Sequence, residues 1–269
     1  MRGYRRRPFR RDGLEPAGRV AEAPGRPAVF QHGLCGDAAQ PAEVFPPGAG
    51  FRHHVLECRG HGASAAGQPE GFSIDAFAGD LAAWIEAGGL GPCPVGGISM
   101  GAALALRLAV ARPGLVSALI LARPAWVTEP APANMQPNAE AGRMIAAGWG
   151  AEDFARGGTG RRIAVAAPDN LASLTGFFTG EPRDVTAALL TRISADGPGV
   201  TGAQVRALRL PCLVLATPED EVHPLTHAEA LAALIPGARL VLLPPRARDR
   251  AAYEAAFRAA LSAFLEKLA

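Results

Sequence analysis

A sharp turn around one serine is the part of the sequence with the clearest chemical potential. The pentapeptide Gly97-Ile98-Ser99-Met100-Gly101 joins a short apolar run to the helical pattern that follows it. A strand-to-helix turn of this kind exposes the serine hydroxyl for nucleophilic attack, and the glycines leave room where side chains would collide with neighbouring backbone. The N-terminus of the following helix also favours developing negative charge. We therefore predict that Ser99 is a catalytic nucleophile.

Backbone N–H groups that would hold an oxyanion are predicted at two places. An oxyanion hole needs two preorganised donors. We expect one from Met100, the residue after the serine, and one from the loop His32-Gly33-Leu34, which follows the first central strand. Leu34 is the preferred donor of this loop, and Gly33 is expected beside it in the substrate-binding site. His32 is interpreted as a structural residue.

An acidic loop at residues 218–224 follows a predicted strand near the end of the chain. Within it, Asp220 fits the pattern D-x-V-x-P, and Glu219 and Glu221 are its direct neighbours. In a triad built on a nucleophile elbow, the acid follows the serine along the chain. We therefore predict that Asp220 is the triad acid, with a solvated loop carboxylate as the alternative.

Short apolar runs alternate with helical patterns over most of the chain. Up to residue 125 the apolar runs predict parallel strands, while residues 73–87 and 100–111 repeat with the period of a helix. Strand patterns return at 211–216 and 239–243, before a terminal amphipathic helix. The alternation predicts an α/β fold with a mostly parallel central sheet and flanking helices.

The arginine-rich start of the chain is typical of a β-hairpin. Residues 4–11 and 18–22 flank the dipeptide Asp12-Gly13, which favours a tight turn. The arginine cluster then lies along an edge strand, where charge discourages pairing with another sheet. No apolar run follows the arginines, so we expect no signal peptide.

Residues 126–206 break the alternation of strands and helices. Short amphipathic pieces are separated here by proline and glycine, and no strand-like run occurs. We predict a helical cap inserted into a core that is formed by residues 1–125 and 207–269. An apolar lid over a polar centre would suit an acyl or aromatic substrate, and packing onto the core is the alternative role for most of its aromatic residues. These residues are Trp126, Trp149, Phe154, Phe177 and Phe178.

Composition excludes several classes of protein. A net charge of +2 is too close to zero for a nucleic-acid binder, and no apolar stretch is long enough for a membrane span. The four cysteines lack the spacing of a zinc site and indicate neither a metal nor a disulfide framework. We expect a cytoplasmic protein with a small-molecule substrate and no metal or organic cofactor. The sequence leaves a homodimer open.

Together these motifs resemble the α/β-hydrolase fold family. The resemblance covers nearly the whole chain: the hairpin, the His-Gly loop, Arg59-Gly60-His61-Gly62, the serine pentapeptide, a helical cap, the late Asp220 and a terminal helix. The chain is similar to small bacterial esterases, lactonases and C–C hydrolases that carry a cap over the active site. The resemblance implies acyl chemistry at Ser99 and a general-base histidine on the loop after the last strand.

That loop, residues 243–250, contains no histidine. A serine hydroxyl is a poor nucleophile without a positioned base, and arginine cannot serve because it stays protonated. His223, three residues beyond Asp220, has three open interpretations: a relocated base, a substrate-binding group or a polar loop residue. Asp249 is a weaker alternative proton acceptor, and His227 is expected to be exposed.

We therefore predict a serine hydrolase that acts on a small carboxylic ester or lactone through a non-standard triad of Ser99, Asp220 and His223. The first alternative is a pseudoenzyme, a binding protein that keeps the pocket but has lost turnover. The second is a non-hydrolytic lyase or acyl-transfer enzyme of the same fold. The elbow serine favours chemistry, whereas the absent late histidine favours binding.

Overall fold

Eight strands of the described chain form one mixed sheet. The structure is a computed structural model that describes residues 3–268, so Met1, Arg2 and Ala269 of the predicted first and last segments lie outside the described residues. The strands are β1 (Tyr4–Arg7), β2 (Gly18–Ala21), β3 (Arg26–Gln31), β4 (Phe51–Leu56), β5 (Cys93–Ile98), β6 (Val116–Ala122), β7 (Cys212–Ala216) and β8 (Arg239–Leu242). Their spatial order is β1-β2-β4-β3-β5-β6-β7-β8. Strands β3 to β8 run parallel, which confirms the predicted mostly parallel α/β sheet.

Eleven α-helices accompany the sheet within residues 3–268. They are α1 (Ala39–Val44), α2 (Ile74–Ala87), α3 (Met100–Ala111), α4 (Gln136–Ala146), α5 (Ala151–Arg156), α6 (Gly158–Ala166), α7 (Pro168–Gly176), α8 (Arg183–Ser194), α9 (Gly202–Arg206), α10 (Leu225–Leu234) and α11 (Arg250–Leu265). Ser73 caps α2, because its hydroxyl accepts the N–H of Ala76 at 3.1 Å. None of these helices is long and apolar enough to cross a bilayer.

Both faces of the central sheet are covered by apolar side chains. Neighbouring residues of a strand point to opposite faces, and Val29 and Phe30 of β3 accordingly belong to two different core clusters. Val29 shares its cluster with Trp84 of α2, and Phe30 packs with Phe257 of α11. Every residue of β5 is buried, as expected for a strand covered on both sides.

The N-terminal hairpin forms as the sequence indicates. Strands β1 and β2 pair antiparallel, and an isolated bridge between Arg11 and Leu14 closes the turn at Asp12-Gly13. Strand β1 lies at one edge of the sheet, with its arginines along that edge. The Tyr4 hydroxyl reaches across to His53 of β4 at 2.6 Å, which ties the hairpin to the core.

Between β6 and β7 the described residues form helices and no strand. We call residues 133–206, which contain α4 to α9, the helical segment. Helices α4 and α8 pack closely in it, since a methyl group on Gly142 would lie 2.8 Å from Cβ of Leu190. The helical segment follows the carboxyl end of β6 and returns to β7, the neighbouring strand. It is therefore attached at the middle of the sheet, one strand away from β5 and Ser99.

Candidate active site

Ser99 occupies a strained turn between β5 and α3. Its backbone angles are φ 55° and ψ −110°, in a region that residues with side chains rarely adopt. Its N–H donates to the carbonyl of Ala122 at 2.9 Å, and α3 begins at the next residue. Ser99 is 8% exposed and lines a cavity of about 330 Å³. This is the geometry of a nucleophile elbow.

The two glycines of the pentapeptide make this turn sterically feasible. A Cβ on Gly97 would lie 2.7 Å from Cα of Gly101 and 2.8 Å from the carbonyl oxygen of Gln31. A Cβ on Gly101 would lie 2.7 Å from the same carbonyl oxygen. These contacts are with backbone, which cannot rotate away. Strand β3, strand β5 and helix α3 can therefore approach one another only because both positions lack a side chain.

His223 connects Ser99 to a carboxylate. Its Nε2 lies 2.8 Å from Ser99 Oγ, and its Nδ1 lies 2.8 Å from Asp220 Oδ1 and 3.0 Å from Oδ2. An ionised carboxylate only accepts hydrogen bonds, so Nδ1 carries the proton and Nε2 is left to accept from the serine hydroxyl. The backbone N–H of His223 also donates to Asp220 Oδ1 at 3.0 Å. The structure thus brings together the serine, acid and histidine that the sequence singled out.

Asp220 is held ionised by an unusually complete set of donors. Arg123 donates to Oδ2 through Nε at 2.8 Å and lies beside it through Nη2 at 2.7 Å, and Asn170 Nδ2 donates to Oδ1 at 2.9 Å. Burial alone would raise the pKa of Asp220, but the positive charge of Arg123 and the bonds from His223 and Asn170 lower it well below its usual range. The carboxylate therefore stays charged at neutral pH.

His223 is neutral under the same conditions. Burial lowers the pKa of His223 below 6.5, Asp220 works in the opposite direction, and the charge of Arg123 adds to the lowering. A neutral imidazole with Nε2 directed at a serine hydroxyl is able to accept its proton. The arrangement of these groups can support nucleophilic chemistry at Ser99.

Two backbone N–H groups near Ser99, those of Leu34 and Met100, have no hydrogen-bond acceptor among the described residues, and Leu34 lines the cavity. The N–H of Gly33 is occupied, because it donates to Gln40 Oε1 at 2.6 Å. A Cβ on Gly33 would lie 3.5 Å from Ser99 Cβ, so the loop runs directly beside the nucleophile. Gly33 thus contributes close packing at the site, and its amide is not a free donor.

The other histidines have structural partners or lie away from Ser99. His32 accepts the N–H of Cys58 at 3.0 Å and donates to the carbonyl of Gly33 at 2.8 Å, which fits its structural interpretation. His227 was expected to be exposed, but it is half-buried and its Nδ1 donates to the carbonyl of Ala125 at 3.2 Å. Asp249 caps α11 by accepting the N–H of Ala252 at 2.9 Å, which accounts for it without a role as a base.

The aromatic lid expected from the sequence is largely absent from the cavity. Of the five aromatic residues, only Phe177 lines it. Trp149 is 54% exposed, and Phe154 and Phe178 pack against each other with tilted rings inside the helical segment. Trp126 is buried, and its Nε1 donates to the carbonyl of Asp196. The sequence pattern cannot show which way these aromatic residues point. Apolar residues repeat with the same helical period whether their face packs against a neighbouring helix or faces a cavity.

Sequence reasoning missed Arg123 as a member of the site and did not orient Asn170. Arg123 directly follows β6, at the carboxyl edge of the parallel sheet where ligands commonly bind in such folds. That position was the available signal. Asn170 accepts the N–H groups of Glu221 and Val222 at 2.7 and 3.0 Å, in addition to donating to Asp220. No local pattern marks a partner that lies about fifty residues away.

Residues that hold metals in proteins do not gather in the part of the chain that the structure describes. No group of three or more His, Cys, Asp or Glu side chains has the arrangement of a metal site there. The four cysteines are free thiols, and Cys58, Cys93 and Cys212 are buried. Burial raises the pKa of Cys93 and Cys212 to about 12, so these thiols stay protonated at neutral pH.

Comparison with known proteins identifies the class. The model of the alpha/beta hydrolase fold family matches residues 27–248, and the chain therefore belongs to this family. It is 28% identical over 195 residues to RutD of Klebsiella pneumoniae, whose name proposes a carbamate hydrolase activity; the match covers 69% of this chain and 70% of the relative. Hydrolases are thus its relatives in sequence.

Solved structures agree with this assignment. A thermophilic esterase from Thermogutta terrifontis is 25% identical, with a TM-score of 0.71 over 97% of this chain and 99% of that one. The enol-lactonase from Burkholderia xenovorans LB400 is 22% identical, with a TM-score of 0.70 over 96% and 99% of the two chains, a likeness that establishes the shared fold. The family model establishes the family, and both solved structures share its fold.

Proposed function

We propose that the protein is a serine hydrolase that acts on a small carboxylic ester or lactone. The observation that carries the proposal is the continuous hydrogen-bonded chain from Ser99 Oγ through His223 to Asp220, with 2.8 Å at both imidazole nitrogens. An ordinary polar loop residue would not be expected to hydrogen-bond both the elbow serine and a buried carboxylate. Membership of the alpha/beta hydrolase fold family supports the same reaction class.

In the proposed reaction, Ser99 Oγ attacks the substrate carbonyl carbon while its proton passes to His223 Nε2. The N–H groups of Leu34 and Met100 stabilise the oxyanion of the tetrahedral intermediate. His223 then returns the proton to the leaving alkoxide, and an acyl-serine remains. A water molecule then attacks the acyl carbonyl carbon while its proton passes to Nε2. His223 returns this proton to Ser99 Oγ as the C–Oγ bond breaks and the carboxylic acid leaves. Asp220 keeps the imidazole in the required tautomer and stabilises its charged form.

We further propose that the helical segment acts as a cap over this site. Helix α4 contributes Asn138 to the cavity and α7 contributes Asn170, while Phe177 follows directly after α7. The cavity is small, at about 330 Å³, which supports a small substrate over a long acyl chain. A carbamate carbonyl would be open to the same attack, so a carbamate belongs in the substrate panel beside esters and lactones.

Labelling and kinetics test the proposal together. A fluorophosphonate probe should label the wild-type protein and fail to label Ser99→Ala. On a panel of short p-nitrophenyl esters, small lactones and a carbamate, His223→Ala should lower kcat by roughly 10³- to 10⁶-fold. His227→Ala is the matched control, since within residues 3–268 the His227 side chain hydrogen-bonds to the carbonyl of Ala125 alone, and the variant should leave turnover within about twofold.

Two results would contradict the proposal. Turnover in His223→Ala close to that of the wild type would exclude His223 as the base. A wild-type protein that neither labels nor hydrolyses any member of the panel would favour the binding-protein alternative. Circular dichroism of each variant separates loss of chemistry from loss of fold.

A further inference from the structure

The cavity around Ser99 has an unbalanced charge. Of the described residues that line it, two are arginines, Arg123 and Arg246, and none is aspartate or glutamate. The histidine in the lining, His223, is neutral at neutral pH for the reason given above. Any charge offered to a ligand in this cavity is therefore positive.

Arg123 is not available to a ligand, because its guanidinium is committed to Asp220. Its side chain is 12% exposed and makes two close contacts with the Asp220 carboxylate, at 2.8 and 2.7 Å. The pair is therefore neutral as a unit. Among the charged side chains that line the cavity, Arg246 is therefore the source of the net positive charge.

Arg246 differs from its neighbours on the loop after β8. Arg248 pairs with Glu219, and Arg250 pairs with Glu43 and Glu254. Arg246 is half-buried in the cavity wall, yet within residues 3–268 it forms no ion pair and donates no side-chain hydrogen bond. A half-buried guanidinium with five N–H donors and no carboxylate partner matches the needs of an anionic ligand.

A second polar group of the cavity also lacks a partner. Asn138 of α4 lines the cavity and is 4% exposed, and its Oδ1 is buried with no hydrogen-bond partner among the described residues. A buried amide left unpaired is unfavourable because it loses its hydrogen bonds to water, so such groups normally meet a partner. The amide can turn either its oxygen or its NH₂ group toward a ligand. The cavity wall thus includes polar groups without partners, in contrast to the apolar lid that the sequence suggested.

We propose that the natural substrate is a small ester or lactone that carries a carboxylate, and that Arg246 binds this carboxylate. The inference rests on the proposed function for the reacting carbonyl and adds the substrate class. Hydrolysis adds one water across the acyl C–O bond and leaves the bound carboxylate unchanged. Arginine presents two parallel N–H donors to a carboxylate, which fixes the orientation of the substrate as well as its charge.

The kinetic test compares charged substrates with neutral analogues of the same shape. The substrates are the monomethyl half-esters of malonate, succinate and glutarate, and in each analogue a carboxamide replaces the free carboxylate. The wild type should prefer at least one half-ester to its amide by about tenfold or more in kcat/KM. Arg246→Gln should bring this ratio down to about one, and Arg246→Lys should keep part of the preference. Arg248→Gln, on the same loop, should keep the wild-type ratio.

Binding to a variant without the nucleophile separates this inference from the proposed function. In Ser99→Ala, calorimetry should show tighter binding of a half-ester than of its amide, and the added change Arg246→Gln should remove the difference. Equal binding of the charged and neutral compounds would overturn the inference even if the wild type hydrolyses esters. Charge-selective binding through Arg246 without any turnover would leave carboxylate recognition standing and contradict the hydrolase.

Discussion

At the scale of single residues, one short loop supplies both the acid and the histidine of the proposed triad. Asp220 and His223 lie three positions apart, and the N–H of His223 closes a turn onto the same carboxylate oxygen that its ring contacts. The three-residue separation of Asp220 and His223 therefore fixes the loop conformation and also orients the imidazole. Residues 243–250, where the family resemblance implies a base, hold no histidine. This loop instead contributes Arg246 to the wall of the cavity.

The lowered pKa of His223 sets the pH dependence of the proposed reaction. Protonation of Nε2 prevents it from accepting the serine proton, so kcat/KM should fall as pH decreases through the pKa of the free enzyme. Because burial holds this pKa below 6.5, the midpoint of the acidic limb should lie below pH 6.5, and most of the activity should be present at pH 7. A pH–rate profile with a neutral ester checks this. An acidic limb centred above pH 7 would contradict the assignment.

The Arg123–Asp220 pair gives a prediction on both stability and catalysis. Arg123→Met would leave the Asp220 carboxylate buried without its main partner, and loss of one member of a buried pair lowers the free energy of unfolding by about 3–5 kcal/mol. Arg123 also lowers the pKa of His223, so the acidic limb of the pH–rate profile should move to higher pH in the variant. Urea denaturation and the pH profile measure the two effects.

The control for this variant is an ion pair on the surface. Arg156 and Glu152 form an i,i+4 pair with side chains 76% and 80% exposed, and Arg156→Met should change stability by no more than about 1 kcal/mol. A similar small change for Arg123→Met would show that Asp220 does not depend on its arginine.

Single residues also show what the sequence could and could not predict. A local pattern predicts Ser99 as nucleophile, and chain order predicts Asp220 as acid. The position of His223 beside the acid loop makes it a candidate base, and the structure places all three in one hydrogen-bonded chain. The sequence did not predict that Arg123 belongs to the site, because its partner Asp220 lies 97 residues away. A contact between residues so far apart produces no periodic pattern in the sequence.

At the scale of elements, the acid loop is held between the sheet and the helical segment. Asn170 of α7 accepts two successive loop N–H groups and donates to Asp220, while Asn134 Nδ2 donates to the carbonyls of Val222 and Ala125 at 2.7 and 2.9 Å. The position of His223 therefore depends on the helices after β6 as well as on β7. A displacement of α7 would carry the base with it.

Asn170 is accordingly a positioning residue for the triad. Asn170→Ala should lower kcat by roughly 10- to 100-fold with a smaller change in KM, because a base displaced by about 1 Å loses rate more than affinity. Thr175→Ala on the same helix is the control, since the Thr175 hydroxyl bonds only within α7. Equal losses in both variants, or a loss confined to KM, would assign Asn170 a general packing role.

Elements were the best-predicted level of this structure, for a physical reason. A strand covered on both faces is apolar at its buried positions, so β5 and, apart from the exposed Ser117, β6 stand out in the sequence. The elbow glycines were similarly readable, because backbone contacts at 2.7 Å permit no other residue. The orientation of the aromatic side chains in the helical segment depends on how its helices pack together. Short stretches of sequence do not determine this packing.

At the scale of the whole molecule, two buried histidines of the central sheet couple folding to pH. His53 and His54 are adjacent in β4 and are both about 1% exposed, so they point to opposite faces of the strand. Burial lowers the pKa of His53 to about 4 and, with nearby Arg52 and Arg7, that of His54 to about 3. Both side chains therefore link the stability of the whole domain to pH.

The sign of this linkage is fixed by the direction of the shifts. Below pH 6.5 the unfolded chain binds protons at these histidines while the folded chain does not, so the free energy of unfolding falls as pH decreases from 6.5 toward 4. Each such histidine contributes a slope of up to about 1.4 kcal/mol per pH unit. Replacing either one by leucine should remove its share of the slope.

The two replacements should differ in stability at pH 7.5, because the two rings differ in hydrogen bonding. His53 accepts from the Tyr4 hydroxyl and donates to the carbonyl of Phe30, so His53→Leu leaves both groups without their partner and should be destabilising by about 1–3 kcal/mol. Neither ring nitrogen of His54 has a partner among the described residues, so His54→Leu should be neutral or stabilising. Urea denaturation at pH 7.5 and 5.5 measures both effects. A large loss in His54→Leu at pH 7.5 would mean that the ring has a polar partner in solution, and its lowered pKa would then need another cause.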